Sequence, residues 1–128
     1  MEADIRGTQR KVVSARVAPL DASLAPEGIV IKGGVALPFL VSRQWSAPAG
    51  DYLEQWFLVV PGSEEVVFTG PARSEAHIWG LQSLTEIVDH VTEPFALEPG
   101  AYEVVFALGG AVGGRTPIPA VAAPAAAA

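Results

Sequence analysis

His77 and His90 are the side chains best suited to chemistry here, and they are the only two histidines in the sequence. Neutral imidazole is a common zinc ligand, and Glu75, Glu86, Asp89 and Glu93 lie near enough in sequence to complete a site. A hairpin would let His77 and His90 face each other, which gives a metal-dependent activity as one alternative. Their spacing matches no zinc motif, so the plain reading is two partly exposed histidines. Asp89 and His90 make a poor acid–base pair, because adjacent residues on a strand point to opposite faces. Nucleophilic catalysis has little support: Gly-x-Ser-x-Gly is absent, and Ser63, Ser74 and Ser83 sit among turn formers. Glu64-Glu65 reads as solvated charge guarding a strand edge rather than a glycosidase pair. Gly33-Gly34 and Gly109-Gly110 lack the Gly-Lys-Ser/Thr of a phosphate loop. No enzyme and no cofactor are expected.

The three tryptophans are better candidates for contact than for catalysis. Trp is enriched at interface hot spots and is also a good core filler. Trp56 lies inside the strongest strand pattern and is assigned to the core. Trp45 follows Arg43-Gln44 and precedes a Ser-Ala-Pro loop, and Trp79 sits beside Gly80. Trp45 and Trp79 are therefore the candidate contact surface.

These side chains must be held by strands. Lys11 to Val17 alternates Val13, Ala15 and Val17 with Ser14 and Arg16, a period of two. Ile29-Val30-Ile31 is β-branched. Gly33-Gly34 then marks a bulge or tight turn, and Val35 to Val41 continues as strand, with Pro38 placing it on a sheet edge or at a bulge. Tyr52 to Val60 is apolar on both faces toward its end, the pattern of a strand in mid-sheet. It turns at Pro61-Gly62-Ser63 and pairs with Glu65 to Thr69. Ser74 to Val91 reads as two strands, with a short helix within 75–91 as the alternative; Gly80 disfavours the helix. Phe95 to Leu97, Pro99-Gly100 and Tyr102 to Leu108 read as strand, turn, strand. Gly109-Gly110 and Gly113-Gly114 are expected to end the order. This gives a flexible arm over 1–10, a domain over 11–110 and a Pro/Ala-rich flexible tail over 111–128.

Composition narrows the setting. A chain of 128 residues suits one domain. No apolar run reaches the ~18–20 residues that span a bilayer. The absence of cysteine excludes disulfides and thiolate chemistry. Met1 to Arg6 shows no leader pattern, and a cytoplasmic location is expected. Arg outnumbers Lys and asparagine is absent, as in proteins from high-GC bacteria. A net charge of −6 speaks against a nucleic-acid partner. Arg6, Arg10, Lys11 and Arg16 form a modest basic cluster, read as a solvated arm.

The unit Phe95-x-Leu97-x-Pro99-Gly100-x-Tyr102-x-Val104-x-Phe106 resembles the last strand pair of bacterial immunoglobulin-like sandwiches. That resemblance implies an all-β fold, an antiparallel immunoglobulin-like β-sandwich of about seven strands. It covers a small part of the chain and carries no catalytic residue. The expected function is a non-catalytic protein-binding or assembly module, an accessory subunit or homo-oligomer, with neither nucleic acid nor membrane as partner. The other alternative is a regulatory domain holding a small molecule between its sheets.

Overall fold

The computed structural model describes residues 8–124. Most of the expected arm, Arg6 included, and the last four residues of the expected tail lie outside the described residues. The described residues form ten strands and no helix. They are β1 (Lys11–Pro19), β2 (Ile29–Lys32), β3 (Val35–Ala36), β4 (Phe39–Ser46), β5 (Gly50–Val59), β6 (Val66–Thr69), β7 (Arg73–Ile78), β8 (Thr85–Val91), β9 (Gly100–Leu108) and β10 (Ala111–Ala122). The chain is all-β, with a three-stranded sheet ordered β1-β4-β8. The second sheet has seven strands, ordered β3-β2-β10-β9-β5-β6, with β7 also on β5. No helix among the described residues is long and apolar enough to cross a membrane.

β5 is the mid-sheet strand its two apolar faces predict. It pairs with β9 along one edge, while β6 and β7 share the other. The shared edge breaks at Gly70-Pro71, where the chain passes directly over Trp56. A Cβ on Gly70 would lie 2.3 Å from the indole, so no larger residue fits. Ser74 to Val91 resolves into strands β7 and β8, not a helix. Tight turns with positive φ at Gly80 suit strands better than a helical turn.

Three expectations need correction. Pro38 does not lie in an edge strand. It separates β3 from β4, where the chain leaves the seven-stranded sheet for the three-stranded one. Phe95 to Leu97 does not form a hairpin with β9, and its one ladder contact is an isolated bridge from Ala96 to Val35. The largest correction concerns 111–128. Ala111–Ala122 is not a tail but the longest strand, between β9 and β2. The cause is Gly109-Gly110, with φ of 59° and 83°, the left-handed pair that a two-residue hairpin turn requires. Counting back from that turn, Pro117 and Pro119 face Glu103 and Ala101 at positions where the β9 ladder asks for no donor. Their missing N–H groups point to the other edge, where β2 pairs in parallel only from Ala120 onward. That pair also makes the seven-stranded sheet mixed rather than purely antiparallel.

One core draws on both sheets. Phe39, Val41 and Trp45 of β4 meet Trp56 and Leu58 of β5, with Ile87 and Val91 of β8 and Val104, Phe106 and Leu108 of β9. Burying one such large side chain stabilises the fold by about 1.5–3 kcal/mol.

Candidate functional site

The most closely built constellation lies inside the core. On β4 the inward positions run Phe39, Val41, Arg43, Trp45, and on β5 they run Glu54, Trp56, Leu58. Strand parity thus drives Arg43 and Glu54 between the sheets, where both are wholly buried. Arg43 donates to Glu54 through Nε (2.8 Å) and Nη2 (2.5 Å), a bidentate pair. Its Nη1 donates to Asp89 Oδ2 at 2.9 Å and to the Val41 carbonyl at 3.1 Å. The Trp45 indole N–H donates to Glu54 at 3.0 Å, and that of Trp56 to Asp89 at 2.9 Å. Arg73, on β7 at the rim, completes the set with a 2.6 Å bond to Asp89 Oδ1. Two cations and two carboxylates cancel, and no buried side-chain polar atom among the described residues lacks a partner. A satisfied, neutral, closed cluster offers nothing for a substrate to engage. It joins β4, β5, β7 and β8.

This cluster corrects several readings. Trp45, expected on a contact surface, is 0% exposed and serves as an indole donor in the core. Glu54, a charge on a strand read as mid-sheet, is a buried partner of Arg43. The space between the sheets, expected to hold a small molecule, is filled by Trp45, Trp56, Phe39, Phe106 and Arg43. The larger depressions, of about 620 and 660 Å³, lie open on the surface. The sequence held one signal for the cluster. Arg43, Glu54 and Asp89 each occupy the apolar parity of their strand.

The histidines are not brought together. His77 is on β7 of the seven-stranded sheet and His90 on β8 of the three-stranded sheet. Among the described residues no group of three His, Asp or Glu could hold a metal ion, so the metal alternative is corrected. His77 instead pairs with Asp51, its register partner on β5, with Nδ1 2.9 Å from Oδ1. The carboxylate accepts, which places an imidazole proton on Nδ1.

Trp79 stands where a contact residue should. It is 66% exposed, and its ring meets His77 edge-on, with centroids 4.6 Å apart and planes at 85°. Its backbone N–H donates to Thr85 Oγ1 at 3.0 Å, which ties it to the start of β8. Leu81 and Leu84, in the connecting turn, are also exposed.

The outer face of the three-stranded sheet is polar. Register places Lys11 beside Ser46, Ser14 beside Gln44 and Arg16 beside Ser42, all pointing away from the core. The Ser14 hydroxyl donates to Gln44 Oε1 at 2.9 Å, which turns the Gln44 amide donors away from Ser14. β8 adds Glu86, Val88 and His90 to this face. Among the described residues of these three strands, Glu86 is the one carboxylate on it. At the far end of the molecule, Glu64 pairs with Arg115, which holds its carboxyl below the ordinary value.

No family model matches the chain, and no curated protein matches it in sequence. Among solved structures it is similar to the Pseudomonas fluorescens alkylpurine DNA glycosylase AlkC bound to DNA containing an abasic site analog. The identity is 16% and the TM-score 0.49, over 88% of this chain and 30% of that one. The chain therefore spans under a third of that protein. That structure is bound to DNA, and neither the expected protein-binding or assembly role nor the expected exclusion of nucleic acid finds support in it. At that identity the likeness assigns no residue of this chain a role.

Proposed function

We propose that this domain contacts a nucleic-acid backbone through the outer face of its three-stranded sheet. The observation that carries the reading is the row Lys11, Ser14, Arg16, Ser42, Gln44 and Ser46. These are the side-chain types that bond phosphate oxygens and fix a protein on nucleic acid without reading sequence. The net charge of −6 is compatible with a local site, because Glu86 is the one carboxylate that these three strands place on this face. With two cations on the face the contact is weak, and its affinity falls with salt at a log–log slope of about −2.

The scaffold reading that goes with it is an immunoglobulin-like sandwich. Its support is Tyr102, which opens β9 and donates its hydroxyl to the Glu98 carbonyl at 2.7 Å, the bond of a tyrosine corner. The two sheets facing each other across one core point the same way.

The test is fluorescence anisotropy of labelled duplex and single-stranded DNA, titrated with the protein over a range of salt. Binding at low salt, with that salt slope and lost in Lys11→Glu/Arg16→Glu, supports the reading. No binding at low salt, or binding indifferent to that double change, overturns it.

A further inference from the structure

We infer that Trp79 is a stacking platform for an unpaired nucleobase bearing an exocyclic amino group; this rests on the proposed nucleic-acid contact and names the form of nucleic acid. Of the three tryptophans, Trp45 and Trp56 are 0% exposed and donate their indole N–H groups to the buried carboxylates. Trp79 takes no part in that cluster and is the one presented to solvent. Its backbone is held in place. The backbone bond to Thr85 Oγ1 anchors it, the Gly80–Ser83 turn closes behind it, and the His77 ring buttresses its flank. A rigid, bare indole is what a base stacks on, and such stacking tolerates any base.

The neighbours of the ring select among bases. His77 donates its Nδ1–H to Asp51 Oδ1, and Asp51 has a second carboxylate oxygen that His77 does not use. Carboxylate oxygens accept hydrogen bonds. Adenine and cytosine carry an amino donor that can meet these acceptors, whereas thymine carries a carbonyl in that place. Trp79 also lies beside the three-stranded sheet, at the start of β8. Thr85 pairs with Trp45, and Trp45 pairs with Val12, next to Lys11. Two strand spacings put these rows about 10 Å apart. Thr85 faces inward and Lys11 outward, so a single strand would pass round the edge of this sheet to lay a phosphate by Lys11 and a base on Trp79. A duplex, whose bases are stacked within, cannot do so.

Intrinsic fluorescence separates the two readings, because Trp79 is the tryptophan accessible to quencher. The whole chain is titrated with adenosine, with thymidine, with single-stranded oligo(dA) and with duplex DNA. Adenosine is expected to quench more than thymidine, the quenching is lost in Trp79→Leu, and adenosine binding, read by competition against labelled oligo(dA), is retained in Trp79→Phe. Trp79→Leu is expected to weaken oligo(dA) binding by about fivefold or more and to leave duplex binding and the salt slope unchanged. Unchanged oligo(dA) affinity in Trp79→Leu, or no quenching by adenosine, overturns the stacking inference even where duplex binds the polar face. Quenching by adenosine with no duplex binding overturns the backbone reading alone and leaves the stacking site standing.

Discussion

Replacing Arg43 by Met removes one buried cation and leaves two buried carboxylates. Asp89 keeps the Trp56 indole and Arg73 as donors. Glu54 fares worse, because both its oxygens are held by Arg43 and its one other donor is the neutral Trp45 indole. Breaking a buried pair by removing one partner costs about 3–5 kcal/mol, since the remaining charge is uncompensated. A domain of this size is stable by about 5–15 kcal/mol, so the loss is a large share of the total. With a urea slope of about 1–3 kcal/mol per molar, the unfolding midpoint falls by about 2 M. The assay is urea unfolding read by tryptophan emission, to which Trp45 and Trp56 report from inside the cluster. A second variant isolates the charge. Arg43→Met/Glu54→Gln keeps an acceptor for Trp45 and removes the stranded negative charge, so it recovers a substantial part of the loss. A double variant no more stable than the single one would refute the electrostatic reasoning. So would a single-variant cost below about 1 kcal/mol.

Tyr102→Phe loses the bond to the Glu98 carbonyl and is expected to cost about 0.5–1.5 kcal/mol at neutral pH. Burial, and then the Glu98 carboxylate, raise the Tyr102 phenol above its ordinary value. The unfolded chain therefore ionises first. Stability from the neutral phenol is full below about pH 10 and declines as pH rises through the folded value. The wild-type and Phe unfolding curves should approach each other in that alkaline window, and a constant gap there would count against the assignment. Gly113→Ala is expected to cost about 1–3 kcal/mol and to perturb Trp45 emission. Its Cβ would lie 2.2 Å from the Trp45 ring, and an unchanged melting temperature would mean the hairpin shifts freely.

Most of the strands were legible because one face of each is buried and the period of two survives in the sequence. β4 reads inward Phe39, Val41, Arg43, Trp45 and outward Leu40, Ser42, Gln44, Ser46. β10 was not legible. Its Gly, Pro and Ala residues carry little strand preference, and it is ordered by pairing with β9 and β2 rather than by its own side chains. Pro38 was misplaced for a related reason, since a proline marks both an edge strand and a break between sheets. The buried cluster leaves a signal in the sequence, the inward parity of Arg43, Glu54 and Asp89. A charged residue at the apolar parity of a strand is read as an exception until three such residues of opposite sign are seen to converge. Trp45 illustrates the cost. Its polar neighbours Arg43 and Gln44 suggested a surface, but Arg43 shares its inward face and only Gln44 looks out.

The same parity links the interior to the proposed surface. Arg43 and Trp45 enter the cluster from β4, so Ser42, Gln44 and Ser46 on the alternate positions are fixed by it. Asp89 does the same for Glu86 and His90 on β8, and through Arg73 it also holds the edge of β7 close to β8. That closure sets Trp79 beside Thr85. Loosening the cluster should therefore weaken phosphate contact and base stacking together, whereas Lys11→Glu/Arg16→Glu and Trp79→Leu should each remove one and leave unfolding unchanged. If Arg43→Met left both contacts intact in protein that remained folded, the outer row and Trp79 would owe their placement to the strand ladders alone.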